Sequence, residues 1–266
     1  MKHISSRENP LVKRLHALAT SARERRKLGE TLLDGAHLVE AALQHPWPLK
    51  GLVVSDSGLA QAEVDRLLAG CAAELPRYHL PDGLFAHISP VDTPSGLLAI
   101  IDLPSEPAPY LTTYALQRGL VVLDAVQDPG NLGTILRTAA AAGVRDILLT
   151  EGCAGAWSPR VLRAGMGAHF GLSIREHVDA LQALQDFPGA VLATALGPGA
   201  RELYDIHLDR PVAWLFGAEG QGLSPALLAR ASERVIIPMA NGIESLNVGA
   251  AAAVCLFEQA RQRRLR

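Results

Sequence analysis

The chain has 266 residues, 48% of them hydrophobic and 20% charged, with a net charge of −2. This is the make-up of an ordinary soluble globular protein of one large or two smaller domains. It argues against a uniformly basic nucleic-acid binder, and no apolar run approaches the roughly 18–20 residues of a helical membrane span.

The first ten residues, Met1 to Pro10, hold no hydrophobic signal core, so a cytoplasmic location is expected. Cys71, Cys153 and Cys255 are widely spaced and form no CxxC pair. Reduced thiols and no metal site follow. Charge is unevenly spread. Residues 1–30 carry Lys2, Arg7, Lys13, Arg14, Arg23, Arg25, Arg26 and Lys27 against Glu8, Glu24 and Glu30, so the rest of the chain is acidic. A basic end on an acidic body suggests a polyanion touched locally. A solvated helix face would show the same charges.

In chain order, Asn9-Pro10 opens a predicted helix with Leu11, Leu15 and Leu18 on one stripe. Arg23 to Lys27 is polar. Thr31 to Gly35 reads as a strand and turn, His37 to Leu43 as a helix, and Leu52 to Ser55 as a buried strand. A helix from about Leu59 to Ala69 follows, and Ser95 to Ile101 is a last strand before Asp102-Leu-Pro-Ser-Glu-Pro-Ala-Pro109, whose prolines mark a stiff linker. The expected division is 1–103, a linker at 104–117, and 118–266.

Beyond the linker, strands are predicted at Leu120–Asp124, Asp146–Thr150, Val191–Leu196, Val212–Phe216 and Val235–Ile237. A helix is expected from Asn131 to Ala142, ending at Gly143. Near-continuous apolar strands separated by helices indicate a parallel sheet covered on both faces. Ligands of such sheets lie at the carboxyl ends of the strands.

Three polar loops occupy that position. In Asp124 to Arg137, Pro129-Gly130 makes a turn and Asn131 can cap the following helix. In Phe216-Gly-Ala-Glu-Gly-Gln-Gly-Leu-Ser224, three glycines surround a lone Glu219. In Ile236 to Gly249, Glu244, Ser245 and Asn247 crowd the start of a helix rich in alanine, and either Ser245 or Asn247 would serve as its cap. Neither GxGxxG nor GxxxxGK[ST] is present, which removes the fingerprint of a nicotinamide dehydrogenase or a P-loop enzyme.

The stretches Asp-Pro-Gly-Asn-Leu-Gly-Thr-Ile-x-Arg-Thr-Ala at 128–139, Phe-Gly-Ala-Glu-Gly-x-Gly-Leu at 216–223 and Ile-Pro-Met-x5-Ser-Leu-Asn-Val at 237–248 resemble the three motifs of the SpoU/TrmH family. These are RNA ribose 2′-O-methyltransferases of the SPOUT class. The first hundred residues resemble the substrate-binding domain of ribosomal-RNA members through Ser5, Pro10 and Lys13, Leu33-Asp-Gly35 and Thr93-Pro-Ser-Gly96.

The resemblance implies an α/β fold whose C-terminal domain has a parallel sheet and a deep trefoil knot, with a smaller N-terminal α/β RNA-binding domain. It implies a homodimer and an S-adenosylmethionine cofactor. The cofactor would lie against Thr194, Ala195, Leu196, Gly217, Ala218, Ile237, Pro238, Met239, Leu246 and Val248. It assigns chemistry to Asn131, Arg137, Glu219, Ser245 and Asn247. One departure is Gly165, where the family often has Ser.

A guanidinium does not deprotonate near neutral pH, so Arg137 is expected to stabilise charge on the 2′-oxygen rather than act as a base. Asn131 would orient ribose or phosphate, and Glu219 would hold Arg137 or a loop backbone. Ser245 and Asn247 would shape the pocket. His169 and His207 are expected to be structural. Arg7, Lys13 and Arg14 are the expected phosphate contacts. The two-domain layout favours ribosomal over transfer RNA. A transfer-RNA ribose methyltransferase and a non-catalytic RNA-binding factor that keeps the fold stand as alternatives.

Overall fold

The computed structural model describes residues 1–91, 93–104, 111–240 and 245–264. It divides into two compact units, residues 1–105 with 157–170, and residues 106–156 with 171–266.

In the first unit, Asn9 accepts from the Leu11 N–H at 2.9 Å and caps the helix Pro10–Thr20. Val12, Leu15 and Leu18 are its buried stripe, with Leu11 only half-buried. The polar stretch after it is a second helix, Ala22–Leu28, with no buried residue. A five-stranded mixed sheet runs in the order Lys2–His3, Arg77–Leu80, Leu49–Ser55, Leu97–Asp102, Glu30–Asp34. The strand Arg77–Leu80 escapes an apolar pattern because three of its four residues are only partly buried.

The single helix expected over 59–69 is two, Asp56–Leu59 and Ala62–Gly70. Gly58 sits so close to the backbone of Gly96 that a Cβ there would meet the Gly96 carbonyl oxygen at 2.1 Å. This contact gives Thr93-Pro-Ser-Gly96 its structural meaning.

Residues 157–170 were expected within 118–266, but they group with the N-terminal unit. The Thr31 hydroxyl donates to the Trp157 carbonyl at 2.7 Å, Trp47 and Trp157 stack at 5.4 Å, and Arg163 lies 3.6 Å from the buried Asp34. Burial raises the Asp34 carboxyl above the usual range, more than Ser95, Arg163 and Ser89 lower it. Gly165 is buried here, on the short helix Pro159–Gly165.

The expected linker differs as well. Its residues 105–110 lie outside the described residues. Its last part is the helix Thr113–Arg118, whose Ala115 is fully buried in the core of the second unit.

The second unit is a seven-stranded, all-parallel sheet in the order Arg201–Glu202, Glu233–Ile236, Ala190–Thr194, Val212–Gly217, Leu120–Asp124, Asp146–Leu149, Ser173–Arg175. The two strands missed from sequence, 173–175 and 201–202, are short edges. The last two strands of the chain insert between strands laid down earlier. Val212–Gly217 enters beside Leu120–Asp124, and Glu233–Ile236 enters beside Ala190–Thr194.

Trp214 is fully buried, and its indole N–H donates to Gln259 Oε1 at 2.9 Å, which pins the C-terminal helix Val248–Arg264 to the sheet. Gln262 adds bonds to Leu208 N and Ile206 O at 2.8 and 3.0 Å.

Candidate active site and cofactor cavity

The carboxyl ends of three neighbouring strands, 190–194, 212–217 and 233–236, open onto one cavity of about 450 Å³. Thr194, Ala195 and Leu196 form one wall, Gly217, Ala218 and Glu219 another. Ile237 and Met239, then Ser245, Leu246, Asn247 and Val248, complete it. Of the residues expected to hold the cofactor, Pro238 alone does not line the cavity. It is exposed. Residues 241–244, including Glu244, lie outside the described residues.

Leu196, Met239 and Leu246 are large apolar side chains left open to this hollow, Leu196 being 66% exposed. Apolar surface held open beside a polar rim is the usual make-up of a ligand site.

The glycine loop is shaped by its backbone. Ala218 and Gly222 exchange hydrogen bonds of 3.1 and 2.9 Å, closing a tight turn. A Cβ on Gly217 would lie 2.2 Å from the Gly222 backbone, so only glycine fits there. The loop's far end is fixed by Asp124. One oxygen of this carboxylate accepts from the Ser224 N–H at 2.7 Å, the other from the Thr150 hydroxyl at 2.9 Å. Thr150 Oγ1 in turn accepts from the Ala125 N–H at 3.1 Å. Asp124 is only 8% exposed. It was not singled out in the sequence, although a lone acid ending the apolar run Leu120–Leu123 is a readable signal.

The first loop corrects one expectation. Asp128, not Asn131, caps the helix, which runs Pro129–Ala141. Asp128 accepts from the Asn131 N–H at 2.7 Å. With the cap supplied by Asp128, the Asn131 side chain turns elsewhere. Its Nδ2 donates to Glu219 Oε1 at 2.8 Å, and its Oδ1 accepts from Asn247 Nδ2 at 2.9 Å. Glu219 therefore holds Asn131; it makes no bond to Arg137. Arg137 is exposed on the same helix, does not line the cavity, and has no hydrogen bond or ion pair among the described residues.

Asn247 has two jobs. Its Oδ1 accepts from the Gly249 and Ala250 N–H groups at 2.9 and 3.3 Å, capping the C-terminal helix, while its amide nitrogen reaches Asn131. Ser245 is exposed on the cavity rim.

The expected phosphate contacts fare differently. Arg7 is exposed. Lys13 pairs with Glu8 at 2.5 Å, and Arg14 pairs with the buried Glu30, which also accepts Lys50 at 2.7 Å. Arg14 thus compensates a buried carboxylate, which competes with a phosphate role. His169 is fully buried with its ring edge-on to Trp157 at 5.3 Å, and is structural.

Residues 119–257 match the SpoU rRNA Methylase family, and residues 9–99 match the MRM3-like substrate binding domain. The chain belongs to the SpoU rRNA methylase family. It is 34% identical to the 23S rRNA (guanosine(2553)-2′-O)-methyltransferase RlmP of Bacillus subtilis, over 97% of this chain and 98% of that one. It is 32% identical to the mitochondrial rRNA methyltransferase 3 of Xenopus tropicalis, over 94% and 75%. The crystal structure of an AdoMet-bound rRNA methyltransferase from Sinorhizobium meliloti superposes with a TM-score of 0.83 at 31% identity, covering 98% of this chain and 97% of that one.

The chain is accordingly an RNA methyltransferase of SPOUT fold, and its cofactor is S-adenosylmethionine. The cavity suits that molecule. Its volume lies within the roughly 300–1,000 Å³ of ligand pockets, one wall is apolar, and the polar side chains Glu219, Ser245 and Asn247 gather at its rim.

Proposed function

We propose that the protein methylates a ribose 2′-hydroxyl of ribosomal RNA of the large-subunit type. The observation that carries this reading is the Glu219–Asn131–Asn247 cluster at the rim of the strand-end cavity. Such a cluster can orient a hydroxyl against a neighbouring electrophile. S-adenosylmethionine supplies the methyl group when bound. Thr194 to Leu196, Gly217, Ala218, Ile237, Met239, Leu246 and Val248 enclose it. Asn131, fixed at both ends of its amide, positions ribose or phosphate. Arg137 lends a permanent positive charge to the 2′-oxygen as its proton leaves. Asn247 holds Asn131 and, with Ser245, shapes the rim.

The N-terminal unit grips RNA in this reading, with Arg7 among the phosphate contacts. The order of the sheet, with its last two strands inserted between earlier ones, supports a knotted C-terminal domain. Homodimerisation is supported by Phe257, 49% exposed on the C-terminal helix beside Ala260. Sedimentation at micromolar concentration measures the oligomeric state. No helix among the described residues is long and apolar enough to cross a membrane, and we place the enzyme in the cytoplasm with its substrate.

The deciding experiment incubates the protein with labelled S-adenosylmethionine and large-subunit ribosomal RNA, then digests the RNA and identifies the methylated nucleoside by mass spectrometry. A 2′-O-methylnucleoside is expected. A base-methylated nucleoside, or cofactor binding with no transfer to any RNA, overturns the reading.

A further inference from the structure

Two histidines of the N-terminal unit stack on each other. The rings of His16 and His87 lie 4.4 Å apart, centroid to centroid, with an interplanar angle of 9°. His16 stands on the helix Pro10–Thr20, and His87 in the last turn of the helix Asp82–Ile88. Val12, Leu15 and Leu18 of the first helix and Leu84, Phe85 and Ile88 of the second belong to one buried core, so both rings ride on fixed elements. Both histidines are half-buried, and part of each stays open to solvent.

Most of the ring nitrogens are unused. His16 Nδ1 lies 3.0 Å from the His87 carbonyl oxygen, which can only accept, so this nitrogen carries the proton. Neither His16 Nε2 nor either ring nitrogen of His87 has a hydrogen bond or ion pair among the described residues. Arg7 stands close enough to act on His87. It is exposed and has no hydrogen bond or ion pair among the described residues. Burial first, then His16 and Arg7, hold the His87 imidazole below its usual pKa. A charged histidine in the last turn would favour its helix, but His87 is neutral in mildly alkaline solution. Three potential cations thus gather with no carboxylate bonded to any of them among the described residues, and two of them carry flat rings.

We propose that the His16–His87 stack is a platform for one unpaired base of the substrate RNA, with the adjoining phosphate on Arg7. Proteins recognise single-stranded RNA by laying splayed-out bases on aromatic rings, histidine among them. Stacking tolerates any base, because each has a π-face. The guanidinium fork of Arg7 matches a phosphate. The inference rests on the reading of the protein as an RNA methyltransferase, and it adds a base-stacking contact to the phosphate contact already given to Arg7.

The test compares His87→Ala, His87→Phe and Arg7→Gln with wild type in mildly alkaline buffer, with melting temperature and S-adenosylmethionine affinity as checks on folding. His87→Gln replaces the alanine variant if that one does not fold. Binding of a large-subunit ribosomal RNA transcript is measured across a salt series. His87→Ala is expected to weaken binding roughly five- to tenfold, and His87→Phe, which keeps a flat ring, to restore it to within about twofold. The log–log salt slope is expected to hold in both, and to fall by about one in Arg7→Gln. Unchanged affinity without the ring overturns the platform, as does failure of phenylalanine to rescue. A reduced slope in His87→Ala makes His87 a phosphate contact and overturns it too. An unchanged slope in Arg7→Gln overturns the phosphate seat. If the unaltered protein methylates no RNA, the proposed function fails instead, and that outcome is read from the wild type alone.

Discussion

Asn247 donates its amide to Asn131 at 2.9 Å across 116 positions of sequence, while its own oxygen caps the helix that follows it. A helix cap and an active-site contact are thus the same side chain, and substitution separates the two contributions. Asn247→Ala is expected to cost about 1 kcal/mol of stability through the lost cap, in addition to lowering kcat. Asn131→Ala, whose helix is capped by Asp128, is expected to lower kcat by at least about tenfold with stability within about 0.5 kcal/mol of wild type. Chemical denaturation beside single-turnover methylation measures both. Equal destabilisation by the two variants would show that Asn131 matters for folding and not for orientation.

Arg137 has no partner to lose among the described residues. Arg137→Ala is therefore expected to leave the melting temperature in place and to reduce kcat by about 10²-fold or more, the scale of a removed charge-stabilising donor. Arg137→Lys keeps the charge without the fork. Full kcat in the lysine variant would show that charge alone suffices and that paired positioning by the guanidinium is unnecessary.

Gly217→Ala places a methyl group 2.2 Å from the Gly222 backbone. The loop has to shift, at a cost of about 1–3 kcal/mol. Because Gly217 and Gly222 both line the cavity, calorimetry is expected to show the S-adenosylmethionine affinity falling at least about tenfold with RNA affinity unchanged. Retained cofactor affinity would mean that this turn is not part of the site.

Asp124→Asn tests the tether between the first and second loops. An amide cannot accept from both Ser224 and Thr150 as the carboxylate does. The KM for S-adenosylmethionine should rise while the RNA KM holds. An equal rise in both would make Asp124 a general fold residue.

Much of this site was legible because its loops follow apolar strands and carry polar residues at fixed spacing. The rest depended on who partners whom. Asn131 reads as a cap until Asp128 is seen to take that place. Arg14 reads as a free cation because Glu30, sixteen positions beyond it, gives no local sign of being its buried counter-ion. Arg77–Leu80 was missed because a half-buried strand with Arg and His lacks a continuous apolar run. Residues 157–170 carry no composition shift to announce that they pack with the N-terminal unit.

Asp34 offers a pH test. Burial raises its folded pKa above the unfolded value. Its contribution to stability is present below the unfolded carboxyl pKa and is lost as pH rises through the folded one. Asp34→Asn removes that loss. Relative to wild type, the variant should gain stability as pH rises above the unfolded carboxyl value of about 4, as followed by denaturant midpoints. A difference independent of pH would mean that Asp34 titrates normally.

The sheet of the second unit has a consequence for synthesis. Every wall of the cofactor cavity comes from residues 194 to 251, and its central strands are among the last to be made. During translation, the N-terminal surface emerges long before any pocket for the methyl donor exists. A nascent chain could hold RNA and yet be chemically inert, so methyl transfer begins only when the last strands and the final helix have taken their places.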